Sequence, residues 1–185
     1  MASVRGQSSP LPLWLAFAVG TTLGGAVTGL GLAVASGLAS VLPLPVRAMA
    51  AVGVTLGLLL LDLTQAKLRL PQRETLIPQE VFAQGMARGI AWFGFEYGTG
   101  VRTLIPSAAS YITAWALVMF HLPWWQTLLV ATVFGFSRSW AAGLAMALSK
   151  GAWSVFLGRH SRLLERLGSV VAATLVLAAV VFGLS

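Results

Sequence analysis

At 185 residues and 19.4 kDa the chain is the size of one domain, yet 57% of it is hydrophobic, only 9% is charged and its mean hydropathy is +0.85. A soluble domain is about 25% charged, and so few charged side chains cannot cover a water-soluble globule. The composition therefore excludes a cytosolic enzyme, a disordered tail and a DNA-binding module, and the net charge of +7 has to be read against a membrane, with no nucleic acid expected as partner.

A hydrocarbon core about 30 Å thick takes about 20 apolar helical residues, and that length divides the chain into five predicted spans. After an N-terminal tail over 1–12, the first runs from Leu13 to about Leu42, Gly-rich, uncharged and long enough to tilt or to contain a break. Its apolar run is far longer than a signal-peptide core, so it is expected to be retained without cleavage. The second runs from about Val46 to Leu63 with Asp62 near its end; the third occupies part of Ala91 to Phe120; the fourth begins at Trp124 and continues to about Leu148; the last is Leu167 to Leu184. The Pro-bearing turns Leu42–Arg47 (LPLPVR) and His121–Trp125 (HLPWW) are expected to join antiparallel neighbours into helical hairpins over 13–63 and 91–148. Two basic loops complete the division. Residues 64–90 carry Lys67, Arg69, Arg73 and Arg88, with Pro71 and Pro78 as breakers, and 149–166 carry Lys150, Arg159, Arg162 and Arg166. The expected fold is all-α: a single polytopic membrane bundle of about five helices, with a six-span variant that would use Val81–Gly98.

Lys and Arg near the spans set orientation. With five spans, nine of them (Arg5, the four of each basic loop) fall on one side and only Arg47 on the other. This places the N-terminus and both basic loops in the cytoplasm of a bacterial inner membrane; a sixth span would put the last basic loop on the wrong side. A shift of 78 residues superposes Phe17, Gly20 and Thr21 on Phe95, Gly98 and Thr99, Leu44-Pro45 on Leu122-Pro123, and Gly57 on Gly135, a faint parallel repeat. Repeats recur in transporters and also in purely structural subunits.

Polar groups held in hydrocarbon are costly, so those retained are candidates for function. Four stand out: Glu96 and Arg102 in FGFEYGTGVRT, Arg138 in FGFSRSW, and Asp62. At 100° per residue Glu96, Thr99, Thr103, Ser107 and Ser110 share one narrow face of the third span, with Arg102 to the side. The stripe admits two readings. It can line a path in which Glu96 handles a proton or cation and Arg102 or Arg138 an anion; equally, the charges can neutralise one another and the hydroxyls can bond neighbouring helices or their own carbonyls. Pro106 is expected to kink the same span.

Small residues mark close-approach seams: Gly20, Gly24 and Thr28, then Gly25 and Gly29, and in the fourth span Gly135, Ser139, Gly143, Ala147 and Gly151. These GxxxG-type rows serve either packing within the chain or docking of a partner subunit. Trp14, Trp92, Trp124, Trp125 and Trp153 lie near span ends as interface anchors, while Trp115 and Trp140 lie deeper. His121 and His160 lack a second ligand at metal or haem spacing, and cysteine is absent, which removes disulfides, thiolate metal sites and covalent haem attachment. No cofactor, no metal and no catalytic constellation is expected, and so no enzyme. The basic stretches Lys67–Arg73 and Arg159–Arg166 suit anionic headgroups.

The run Pro71–Ile112, with a Gln after the basic loop, the aromatic-Gly-Phe of Phe93–Phe95, and Gly98-x-Gly100 followed by Thr103, resembles a stretch of small polytopic bacterial membrane proteins of the thiol–disulfide electron-transfer (cytochrome c biogenesis type) and sulfite-exporter-like groups. It covers roughly a fifth of the chain. The resemblance implies a compact helical scaffold; electron transfer needs a cysteine pair that this sequence lacks, so that activity is not carried over. Two functions stay open. The first is a small-solute or ion transporter or exporter, oligomeric because five short-looped helices make a thin wall. The second is a non-catalytic accessory subunit that docks on a larger membrane complex through its glycine seams.

Overall fold

Proline in this chain is tolerated where helices begin, because the first turn needs no N–H donor. Pro10 and Pro12 open the first helix, Pro45 is the second residue of the second, and Pro123 directly precedes the fifth. The structure, a computed structural model, describes residues 10–64, 85–100, 108–147 and 150–183. These residues are all helical apart from short turns: α1 Pro10–Ala39, α2 Leu44–Thr64, α3 Met86–Thr99, α4 Ala109–Met119, α5 Trp124–Ala147 and α6 Lys150–Gly183. Among the described residues, three segments are long and apolar enough to cross a membrane: Leu11–Ala39, Leu44–Thr64 and Arg159–Gly183.

The distribution of side-chain size supports a membrane setting. The largest fully buried side chains are Ile112, Thr21, Thr55, Thr127, Ser36, Ser139 and Ser169, almost all small. Bulky apolar residues instead face outward. On α1 they form one stripe through Leu11, Leu15, Val19, Leu23, Val27, Leu30, Val34 and Leu38, all exposed. Water would leave this surface aggregating, whereas lipid solvates it and leaves close packing to the small residues.

Packing divides the helices into α1, α3 and α5 on one side and α2, α4 and α6 on the other, joined mainly where α1 meets α4. The first group is built on glycine. Gly20 and Gly24 of α1 lie against the backbone of Ala91, Phe95 and Thr99, while Gly94 and Gly98 of α3 lie against that of Phe17 and Thr21. Residue numbers rise together along this seam, so α1 and α3 run parallel. The adjoining face of α1, Gly25 and Gly29, meets Ala131, Leu128 and Gly135 of α5 with numbers running oppositely, so α5 is antiparallel. The second group has a more ordinary core of Ala108, Ile112, Ala116, Ala173 and Val176, with Leu58 and Leu59 packed against it. There Trp115 Nε1 donates to the Ala50 carbonyl at 3.1 Å and ties α4 to α2. Replacing Trp115 by Phe keeps an aromatic ring but removes this bond and part of the indole's packing, and is expected to cost at least about 1 kcal/mol in thermal unfolding in detergent; an unchanged midpoint would show that neither the bond nor the lost packing contributes.

Three expectations change. The third predicted span is two helices: α3 ends at Thr99 because Gly100 adopts a left-handed conformation (φ 67°), its N–H bonding Tyr97 O, which glycine does without steric cost. At 14 and 11 residues, α3 and α4 are about 21 and 17 Å long, each too short to span alone. Second, 150–166 is not a loop. It forms the first half of α6, whose 34 residues extend about 51 Å, because charged side chains project from a helix without breaking it. Third, chain neighbours α1 and α2 are not a packed pair, nor are α4 and α5; both glycine faces of α1 are already taken by α3 and α5. The segment 65–84, with Lys67, Arg69, Arg73, Pro71 and Pro78, lies outside the described residues, as do Arg102, Thr103, Pro106 and Ser107.

Candidate functional site at the helix break

A helix that stops leaves its last carbonyls without intrahelical partners and a partial negative charge at its end. At the C-terminus of α3 both are answered by other helices. The Thr28 hydroxyl of α1 donates to the Thr99 carbonyl at 2.9 Å. From α5, the Arg138 guanidinium lies 3.9 Å from the centre of the Tyr97 ring and 5.6 Å from that of Phe134. Arg138 Nη1 is also close enough to Gly100 to meet a Cβ there at 3.6 Å. A cation in this position is favoured by the helix dipole and by the aromatic face together. Tyr97 is held in turn by Phe17 and Phe93, at ring separations of 5.9 and 6.1 Å.

Glu96 lies in the last turn of α3 and is buried at 8% exposure. Two positions from each of Gly94 and Gly98, it sits about 200° round α3 from both, away from the face that packs on α1. The Thr99 hydroxyl donates to the Glu96 carbonyl at 2.8 Å. Other hydroxyls do likewise within their own helices: Thr22 to Ala18, Thr113 to Ala109, Thr132 to Leu128 and Ser139 to Phe136. The continuous polar face from Glu96 to Ser110 is therefore not formed by one helix, since it requires an unbroken turn sequence through Gly100.

Of the residues expected to line a path, Glu96 and Thr99 lie in the last turn of α3 and Arg138 of α5 lies against Tyr97 of that turn, while Arg102, Thr103 and Ser107 lie outside the described residues. The seam residues pack within the chain: Gly20 and Gly24 face α3, Gly135 faces Thr21 and Gly25, and Gly143 lies under the Trp14 indole. Trp14 Nε1 donates to the Ser139 carbonyl at 3.0 Å, so this tryptophan also ties α1 to α5. Asp62 belongs to the other helix group, with Oδ2 buried and without a hydrogen-bond partner among the described residues. His121 has φ 50° and donates from Nδ1 to Ser36 O at 3.2 Å in one tautomer, a turn contact between α1 and the end of α4.

Sequence reasoning missed Tyr97 and gave Thr28 only as a residue of the α1 seam. For Tyr97 a signal existed, an aromatic between Glu96 and two glycines; for the Thr28 hydrogen bond none did, because its partner is 71 positions away. Comparison of the chain with protein-family models, with curated proteins and with solved structures finds no match.

Proposed function

We propose that this protein is a small-solute or ion transporter of the bacterial inner membrane. In this reading it has five passes, its N-terminus lies in the cytoplasm, and it works as a homo-oligomer. The carrying observation is the break after Thr99, with Glu96 buried in the last turn before it and Arg138 of α5 stacked on Tyr97 at its end. Interrupted helices expose backbone dipoles inside the membrane where side-chain charges can assist, and this is how transporters commonly bind small charged solutes. Glu96 takes the role of proton or cation carrier; Arg138 attracts the anionic partner. The parallel course of α1 and α3 and the antiparallel course of α5 agree with this threading. The accessory-subunit reading drew on the glycine rows as docking surface, and Gly20, Gly24, Gly135 and Gly143 are covered by this chain's own helices.

The test is flux into liposomes carrying the purified protein, read with dyes for protons, alkali cations and small anions. Wild type is expected to move at least one of them, and Glu96→Gln, which keeps the shape and removes the charge, is expected to fall to the level of empty liposomes while its thermal unfolding is unchanged. Flux preserved in the variant would reduce Glu96 to a packing residue.

A further inference from the structure

A groove of about 470 Å³ runs along the outside of the α1–α3 seam. Its walls are Val19, Leu23, Trp92 and Phe95, its floor is Gly20, and Arg88 lies at one end. At Gly20 the backbones of α1 and α3 meet closely, while Val19, Leu23 and Trp92 stand out on either side at 57%, 56% and 50% exposure, which leaves a trough along the line of contact. Arg88 is also exposed, in the first turn of α3. The parallel packing of α1 and α3 sets Arg88 near the level of Trp14, at the start of α1, and one turn before Trp92. Tryptophans of this kind mark the boundary between headgroups and hydrocarbon. The groove thus has a cation at the depth of the lipid phosphates and an apolar trough leading inward from it.

We propose that this groove binds one anionic phospholipid, its phosphate on Arg88 and one acyl chain between Val19, Leu23, Trp92 and Phe95. Charge complementarity selects the headgroup: the guanidinium offers a phosphate the planar donor pair that a zwitterionic lipid engages less well, because its own ammonium competes. The apolar walls select a lipid over a free anion, since inorganic phosphate would gain nothing from them. The side chain of Arg88 does not take part in the helix break, which lies at the other end of α3, so the site stands whether or not the protein transports.

The test is native mass spectrometry of the delipidated full chain titrated separately with phosphatidylglycerol and phosphatidylcholine. Wild type is expected to retain one phosphatidylglycerol more tightly than phosphatidylcholine. Arg88→Gln is expected to weaken phosphatidylglycerol about fivefold, the worth of one basic residue at an anionic surface, and to leave phosphatidylcholine unchanged; Arg88→Lys should recover part of the difference. Val19→Trp, which fills the trough from an exposed position, is expected to weaken both lipids. Equal retention of the two lipids by wild type, or an Arg88→Gln variant indistinguishable from it, would overturn the proposal. Displacement of phosphatidylglycerol by millimolar inorganic phosphate would also overturn it, by showing that the anion alone is recognised. Each variant is compared only after its elution and thermal midpoint match wild type, and Arg88→Lys supplies the second reading if the glutamine variant does not.

Discussion

Gly98→Ala is expected to destabilise the protein by about 3 kcal/mol, the upper part of the range for overpacking, although alanine is the better helix former. A Cβ at this position would lie 2.6 Å from Thr21 Cα and 2.7 Å from its carbonyl carbon, besides striking the carbonyl oxygen. Carbon atoms in ordinary contact are about 3.5–4.0 Å apart, so α1 and α3 would have to separate along their whole seam. Neither neighbour can yield alone, because both are backbone. The same exchange at Gly53, where a Cβ would meet nothing within 4 Å, should be neutral or stabilising by up to about 1 kcal/mol from helix propensity. Thermal unfolding of both variants in one detergent decides the matter. Equal midpoints would mean that the seam is looser than described.

Arg138→Met is expected to cost about 1–2 kcal/mol, combining loss of the stack on Tyr97 with loss of a cation at the end of α3. Methionine fills much of the same volume, so a packing defect adds little. Arg138→Lys keeps the charge near the helix end but not the planar contact, and should fall between the two. The corresponding flux measurements carry more weight for function. If Arg138 attracts the anionic partner of the transported species, the methionine variant should lose flux and the lysine variant should keep part of it. Full flux in Arg138→Met, with stability reduced as expected, would leave the arginine as a fastener of α3 to α5 and nothing more. Tyr97→Leu provides the reciprocal check: it removes the ring under Arg138 along with its contacts to Phe17 and Phe93, and the double variant should lose less than the sum of the two single losses by the share that the stack carries.

How far the site could be read in advance differs residue by residue. Glu96 and Arg138 stand out in the sequence because a charge inside an apolar run is expensive whatever the fold, and the structure places both at the end of α3. Grouping Glu96 with Ser110 on one face failed because helical periodicity presumes continuity. Two breakers, Gly100 and Pro106, lay within the interval, and the one with an observed left-handed φ ends the helix. The charge of Arg159–Arg166 suggests a loop, yet Arg, Leu and Glu are all good helix formers and no proline interrupts them.

Composition pointed to a membrane setting, because the proportion of apolar to charged residues is a sum over the whole chain that no arrangement alters, and apolar runs of about 20 residues pointed to helices. The spacing of glycines likewise announced which helix faces would be approached closely. Only the tertiary structure decided which helix approaches which: that α1 gives one glycine face to α3 and the next to α5, that α2 turns away to α4 and α6, and that Glu96 is buried in the last turn of α3. A glycine row is equally open to any partner backbone, and the choice falls to the pair whose carbonyls, ridges and chain connections fit at once, which is a property of three dimensions that no local pattern contains.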